Sequence, residues 1–221
     1  MDGNLKLLVF DLDGTLIDSS RTIYESTTAA FRELNLGIEL KREDLDARIG
    51  AHFEDIFREL NINVGNFELF LKTFLSHYMS FISYSCVYPS VIETLEALKG
   101  DYKMAVLTTK AQKQAERAIA AFDLTKYFDF IMGRRDGIPV KPDPAPYRYL
   151  CKELGVKPEE SIMVGDTEFD VQCGHNVGAG TVAVTYGYRG KEFLEAEKPD
   201  YVIGDLKELP SLPILLNHKG M

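Results

Sequence analysis

Two aspartates one residue apart, Asp11 and Asp13, end the apolar run at residues 7–10 and lead directly into Gly14 and Thr15. Like charges that close raise each other's cost of ionisation, so folding gains little from having both. Such a pair suits nucleophilic attack, general acid–base transfer or the holding of a hard cation. Matching chemistry recurs further along the chain. Thr108, Thr109 and Lys110 follow a second apolar run, Lys141 stands before Pro142 in "VKPDP", and "VGDTEFD" carries Asp166 and, four residues on, Asp170. Gathered at one place, four carboxylates, a hydroxyl and a lysine would be costly alone, yet reasonable around a divalent cation and a phosphate. A set of hard oxygen ligands without His or Cys favours magnesium over zinc.

The elements that must gather these groups are visible as alternating runs. Residues 5–11, 102–109, 128–133, 161–166, 180–187 and 200–205 read as buried strands. Residues 89–99, with the stripe Val91, Ile92, Leu95 and Leu98, and residues 111–122, 144–154 and 168–177 read as helices. Alternating strands and helices make right-handed βαβ units, so the expected class is α/β, a Rossmann-like doubly wound parallel sheet. Ligands of such sheets bind beyond the carboxyl ends of the strands, where each motif lies. From residue 19 to 86 only helical periodicity is found, with Ile23, Thr27, Ala30, Phe31 and Leu34 on one face of the first segment. That stretch is too long for a crossover and reads as an inserted α-helical domain, 19–86, within a core of 1–18 and 87–221.

Bulk properties exclude other classes. The 221 residues carry a net charge of -9, which argues against nucleic acid as a partner. No stretch approaches the roughly 18 apolar residues of a membrane span, so no membrane partner and a cytoplasmic location are expected. Cys86, Cys151 and Cys173 have no zinc spacing or disulfide framework. The choice between monomer and homodimer stays open. A calcium loop starting at Asp11 would need Gly and Glu at its sixth and twelfth positions, which are Leu16 and Thr22.

The ordered set Asp11-Leu12-Asp13-Gly14-Thr15, Thr108, Lys141-Pro142 and Gly165-Asp166-Thr167 with Asp170 resembles the four motifs of the haloacid dehalogenase superfamily. The helical insertion after the first motif resembles that family's α-helical C1 cap, and the closest branch is the phosphoglycolate phosphatase-like hydrolases. The resemblance implies a central first strand and a cap that closes over the site. It implies a Mg2+-dependent phosphatase that forms an aspartyl-phosphate on a small phosphorylated metabolite, phosphoglycolate leading. It assigns Asp11 as nucleophile and Asp13 as general acid and then base, with crowding carboxylates favouring its protonated form. The flexible turn at Gly14 lets backbone N–H groups near the phosphate, Thr109 keeps its own backbone N–H for the site, Thr108 offers its hydroxyl, and Lys141 its charge. Asp11, the main-chain carbonyl of Asp13, and Asp166 would hold the metal, with Asp170 either near it or orienting Lys141.

Departures from the family pattern bear on the substrate. Thr109 stands where many relatives have Asn. Asp13 excludes a dehalogenase. A sugar phosphomutase shares all four motifs but looks to a basic His in the first cap helix, where Ile23 matches and Arg21 is the only base nearby. An idle binding protein would be expected to have lost one of the motif residues. Arg48, Gly50 and His52, around a break between two helical stretches, are substrate-specificity candidates, against solvated or capping roles. Arg134 and Arg135 could hold a second anionic group or be surface charges.

Overall fold

The computed structural model describes residues 5–216. In chain order the strands are β1 (Leu7–Phe10), β2 (Ile17–Asp18), β3 (Cys86–Val87), β4 (Lys103–Ala111), β5 (Phe130–Arg134), β6 (Ser161–Gly165), β7 (Gly180–Val184) and β8 (Tyr201–Ile203). Six of them form one parallel sheet in the order β5-β4-β1-β6-β7-β8. The first strand lies between β4 and β6, so the three strands that carry most of the motif residues end side by side. A helical block follows β2, with α1 (Ser20–Glu33), α2 (Arg42–Asp46), α3 (Phe53–Glu59) and α4 (Phe67–Tyr78). The sheet is covered by α5 (Val91–Leu98), α6 (Gln112–Ala121), α7 (Ala145–Leu154) and α8 (Glu168–Val177).

Both sheet faces are buried, which explains the continuous apolar strands. On one face Leu8, Phe10, Val106 and Val164 pack against Leu95 of α5 and Ile119 of α6. On the other, Leu7, Val9, Leu107 and Met163 pack against Tyr147 of α7 and Cys173 of α8. The helical block has a separate apolar cluster built on Phe31, Leu45, Phe57, Phe70, Phe74 and Tyr78, joined by Tyr188 from the loop after β7. Most of its ring pairs meet edge-on or tilted, as in Phe57 against Phe70 at 4.9 Å between centroids, the geometry aromatic quadrupoles prefer.

Three sequence expectations need correction. The strand expected over 180–187 stops at Val184, because the chain then turns across the sheet's rim to reach Asp166. Ile92, placed on the buried stripe of its helix, is 50% exposed; Val91, Leu95 and Leu98 form the inward face with Thr94. The two-residue strands β2 and β3 pair antiparallel, Ile17 with Val87 and Asp18 with Cys86, and so bring both crossings into the helical block side by side. Two residues are too few to leave a periodic signal. All three cysteines are free, with Cys86 exposed. Among the described residues, no helix is long and apolar enough to cross a membrane.

Candidate active site

The end of β1 delivers Asp11 by a tight turn. Asp11 N donates to Val164 O at 2.9 Å, continuing the ladder, and Leu16 N and Ile17 N both return to Leu12 O at 3.0 Å. Gly14 makes the turn with φ +93, and a Cβ there would lie 2.2 Å from Asp166 Oδ2. Only glycine permits both that backbone and that approach.

Asp11, Asp166 and Asp170 form a buried triad that offers one oxygen each, all within 4.8 Å of one another. Lys141 Nζ donates to Asp11 Oδ1 at 2.7 Å and, on its other side, to Asp170 Oδ1. Asp170 is held in turn by Thr167, whose N and Oγ1 donate to its Oδ2 at 3.0 and 2.7 Å. Its carboxyl lies against Gly165, where a Cβ would meet Asp170 Cγ at 2.2 Å. Thr15 Oγ1 donates to Asp166 Oδ1 at 3.0 Å, and Tyr188 N to Asp166 Oδ2 at 2.8 Å. Lys141 is thus held from both sides, by Asp11 and by Asp170.

Burial pushes the Asp11 carboxyl up to about 7 against the pull of Lys141, with the charge of Asp170 adding to the rise. Burial also raises Asp166 well above the usual carboxylate range, helped by the charges of Asp11 and Asp170. For Lys141 burial works the other way, but Asp11 and Asp170 outweigh it and hold the ammonium charged. Three carboxylates thus face one cation, and the triad is short of positive charge. A divalent cation with a preference for oxygen would supply it, and the donor set fits that group, containing no His or Cys.

Asp13 turns the other way. Its Oδ2 lies 3.0 Å from Lys110 Nζ, and its Oδ1 accepts a bond from Ser19 Oγ. Asp13 lies outside the buried triad, although its charge is felt by Asp11, and its ion-pair partner is a cation. Lys110 in turn lies 4.5 Å from the ring centroid of Tyr78, which comes from α4 of the helical block. Burial disfavours the Lys110 charge, but Asp13 and Tyr78 outweigh it and raise its pKa. The sequence offered one sign of Lys110, as the third residue of Thr-Thr-Lys at a strand end, and no sign of its partner.

The threonines of β4 divide their work. Thr108 is buried and accepts from Lys110 N at 3.2 Å, which leaves its hydroxyl proton directed elsewhere. Thr109 Oγ1 donates to Gly50 O at 3.1 Å, a direct bond from the sheet to the helical block. Gly50 has φ +104, and a Cβ there would press on Thr167 Cγ2 at 2.9 Å. His52 and Gly50 line a cavity of about 120 Å3 with Asp13, Lys110, Arg134 and a largely apolar wall that includes Ile23, Leu45, Ile49 and Phe74. Arg48 is not brought there. Its Nε pairs with Glu59 at 3.0 Å and its Nη1 donates to Asp44 O, and it lines a separate cleft with Glu168 and Tyr188.

Two residues of the loop after β7 escaped the sequence reading. Gly187 lies against the triad, where a Cβ would come within 2.4 Å of Asp166 Cβ and of Gly14 O. Tyr188 Oη accepts from Ser19 N at 3.0 Å while its own N holds Asp166. Neither residue belongs to a recognisable motif.

This arrangement can be set beside known proteins. Residues 8–184 match the family model of the haloacid dehalogenase-like hydrolases. The chain belongs to that family. Family members are generally metal-dependent enzymes, in keeping with the buried acidic triad. The chain is 34% identical to the pyrophosphatase PpaX of Bacillus mycoides, over 98% of this chain and 99% of that one. The fold is similar to the crystal structure of a predicted phosphoglycolate phosphatase from Haemophilus somnus, with a TM-score of 0.81, 29% identity, and coverage of 96% of this chain and 99% of that one. A predicted phosphatase from Clostridium acetobutylicum aligns with a TM-score of 0.84 and 25% identity, covering 95% and 98%.

Proposed function

We propose that this member of the family is a Mg2+-dependent phosphatase that hydrolyses a small phosphorylated metabolite through an aspartyl-phosphate, with residues 19–86 acting as a cap domain. One observation carries the reading: Lys141 and the buried triad converge on Asp11 at the end of the central strand, while Asp13, two residues on, faces the cavity under the helical block.

In the first step a carboxylate oxygen of Asp11 attacks phosphorus and the bond from phosphorus to the leaving oxygen breaks. Asp13 gives that oxygen a proton. In the second step Asp13 takes a proton from water as the water oxygen attacks phosphorus and Asp11 is released. Between the steps Asp13 is ionised, and Lys110 at 3.0 Å balances its charge. Lys141 holds Asp11 in line and offsets the negative charge that gathers on the phosphoryl oxygens; Thr108 is placed to donate its free hydroxyl proton to one of them. Asp11, Asp166 and the main-chain carbonyl of Asp13 would hold Mg2+, with Asp170 beside them. Mg2+, when bound, offsets the repulsion between the Asp11 carboxylate and an anionic substrate.

Phosphoglycolate is the lead substrate, supported by the fold and by the apolar wall that an organic leaving group would meet. Pyrophosphate is the second candidate, on the strength of the PpaX relatives. A phosphomutase is disfavoured: Arg21, the base nearest the position such enzymes use, lies over the Tyr84 ring at 4.1 Å, and Ile23 lines the cavity instead. Three free cysteines suit a reducing cytoplasm. The test is phosphate release from a metabolite panel that includes 2-phosphoglycolate, pyrophosphate and sugar phosphates, with Mg2+ and with EDTA. Release that needs Mg2+ and vanishes in Asp11→Asn is expected. Activity retained by Asp11→Asn would overturn the covalent route.

A further inference from the structure

The cavity beside Asp13 contains a cation to which the steps above give no task. Arg134 is the last residue of β5, and Arg135 follows it. Successive residues of an extended chain point to opposite sides, so only one of the two can turn toward the helical block. Arg135 is tied to the core: its Nε donates to Gln112 Oε1 at 3.0 Å and its Nη1 to Tyr149 Oη at 3.4 Å. Gly133 fixes this split, since a Cβ there would lie 2.6 Å from Gln112 Cα and push the strand end away from α6. Arg134 therefore faces the cavity, where its Nη1 donates to Nε2 of His52 from the helical block.

That bond does not neutralise it. Burial and then the charge of Arg134 lower the pKa of His52, so the imidazole accepts as a neutral group. Among the described residues no carboxylate forms an ion pair with Arg134, and the one carboxylate of the cavity, Asp13, is already paired with Lys110. Arg134 is half-buried at a largely apolar cavity, and an anion brought there is held more strongly than in open water.

Resting on the phosphatase reading, we propose that Arg134, positioned by His52, binds a second anionic head on the leaving group. The substrate class is then a phosphate ester or anhydride whose leaving group carries its own carboxylate or phosphate. The oxygen to be protonated lies at Asp13, the second anion at Arg134. Asp13 and Arg134 line one cavity, so both contacts can be made by a single leaving group.

The test compares substrates that share the phosphoryl group and differ at the far end. Phosphate release is measured from 2-phosphoglycolate, from pyrophosphate and from the uncharged counterpart 2-hydroxyethyl phosphate, for the wild type, Arg134→Ala and Arg134→Lys. For at least one of the two anionic substrates, Arg134→Ala lowers kcat/KM by about tenfold more than it does for 2-hydroxyethyl phosphate, chiefly through KM, because a charge-assisted bond is lost. Arg134→Lys restores part of that difference. Which anionic substrate shows the effect tells carboxylate from phosphate. Equal losses on all three substrates, or none, overturn the proposal. If the wild type releases no phosphate, the phosphatase reading has failed, and the subsite is read by calorimetric titration of 2-phosphoglycolate and pyrophosphate into Asp11→Asn. Binding weakened about tenfold by added Arg134→Ala upholds the subsite, and binding that does not change, or is undetectable, overturns it.

Discussion

The two sides of Asp11 are built on opposite terms. On one side lie two carboxylates, Asp166 and Asp170, and Lys141, all buried, and the carboxylate oxygens are gripped by Thr15, Tyr188, Thr167 or Lys141. Toward the helical block lies a cavity with an apolar wall, a paired carboxylate in Asp13 and Arg134, which among the described residues has no carboxylate partner. The first side fixes a reaction, because each group there is held by others that would have to change with it. The second would set the substrate, because the side chains that line it come from both the sheet and the helical block.

The largest expected effect separates the sides directly. Lys141→Met should cost a hundredfold or more in kcat on every substrate alike, whereas changes at Arg134 should reorder substrates. Removing Lys141 also leaves Asp11 and Asp170 without their shared cation, so unfolding without metal should be easier by about 3–5 kcal/mol, read by denaturant titration. Equal activity of Lys141→Met on any one substrate would dissolve the contrast.

Gly187→Ala probes the same side through its packing. A Cβ at that point must displace Asp166 or the Gly14 carbonyl, so Mg2+ affinity should weaken by about ten- to hundredfold in a titration followed by activity or heat.

A smaller effect is set by pH. Burial raises Asp11 from 3.8 to about 7, so between those values the unfolded chain has released this proton while the folded one still holds it. Ionisation therefore favours unfolding: stability from this group is present below pH 3.8 and is lost as pH rises through about 7. In EDTA, the Tm of the wild type should fall between pH 5 and pH 8 more steeply than that of Asp11→Asn. Parallel curves would show that the Asp11 side is not short of positive charge.

The smallest effect joins the two sides. Tyr188→Phe removes the hydroxyl that accepts from Ser19 N and should cost about 1 kcal/mol in thermal unfolding, with little change in KM for Mg2+ because Tyr188 N still holds Asp166.

The reaction side was legible in the sequence and the substrate side was not, for a physical reason. Asp11, Thr108 and Asp166 each follow a local signal, a run of apolar residues that must end at the same rim of a parallel sheet, and Lys141 is marked by the proline after it. The central place of β1 follows from the same pattern. The partners of Asp13 depend on how the helical block docks: Tyr78 reaches Lys110 from α4, and Thr109 meets Gly50 across 59 positions of chain. No periodicity encodes such meetings. Arg48 shows the converse, since its place near Gly50 in the sequence suggested the cavity while Glu59 draws it to a separate cleft. Tyr188 and Gly187 are further still from any local cue, because a strand that stops three residues early is a matter of what the next loop must reach.

The bond from Thr109 to Gly50 has a consequence for how this protein could diversify. The helical block is seated on the sheet through a main-chain carbonyl, at a position that only glycine fills comfortably. The groups that face a leaving group, His52 and Arg134, are side chains on either side of that seam. Inheritance can therefore rewrite the taste of the pocket one residue at a time while the latch that closes it stays as it was.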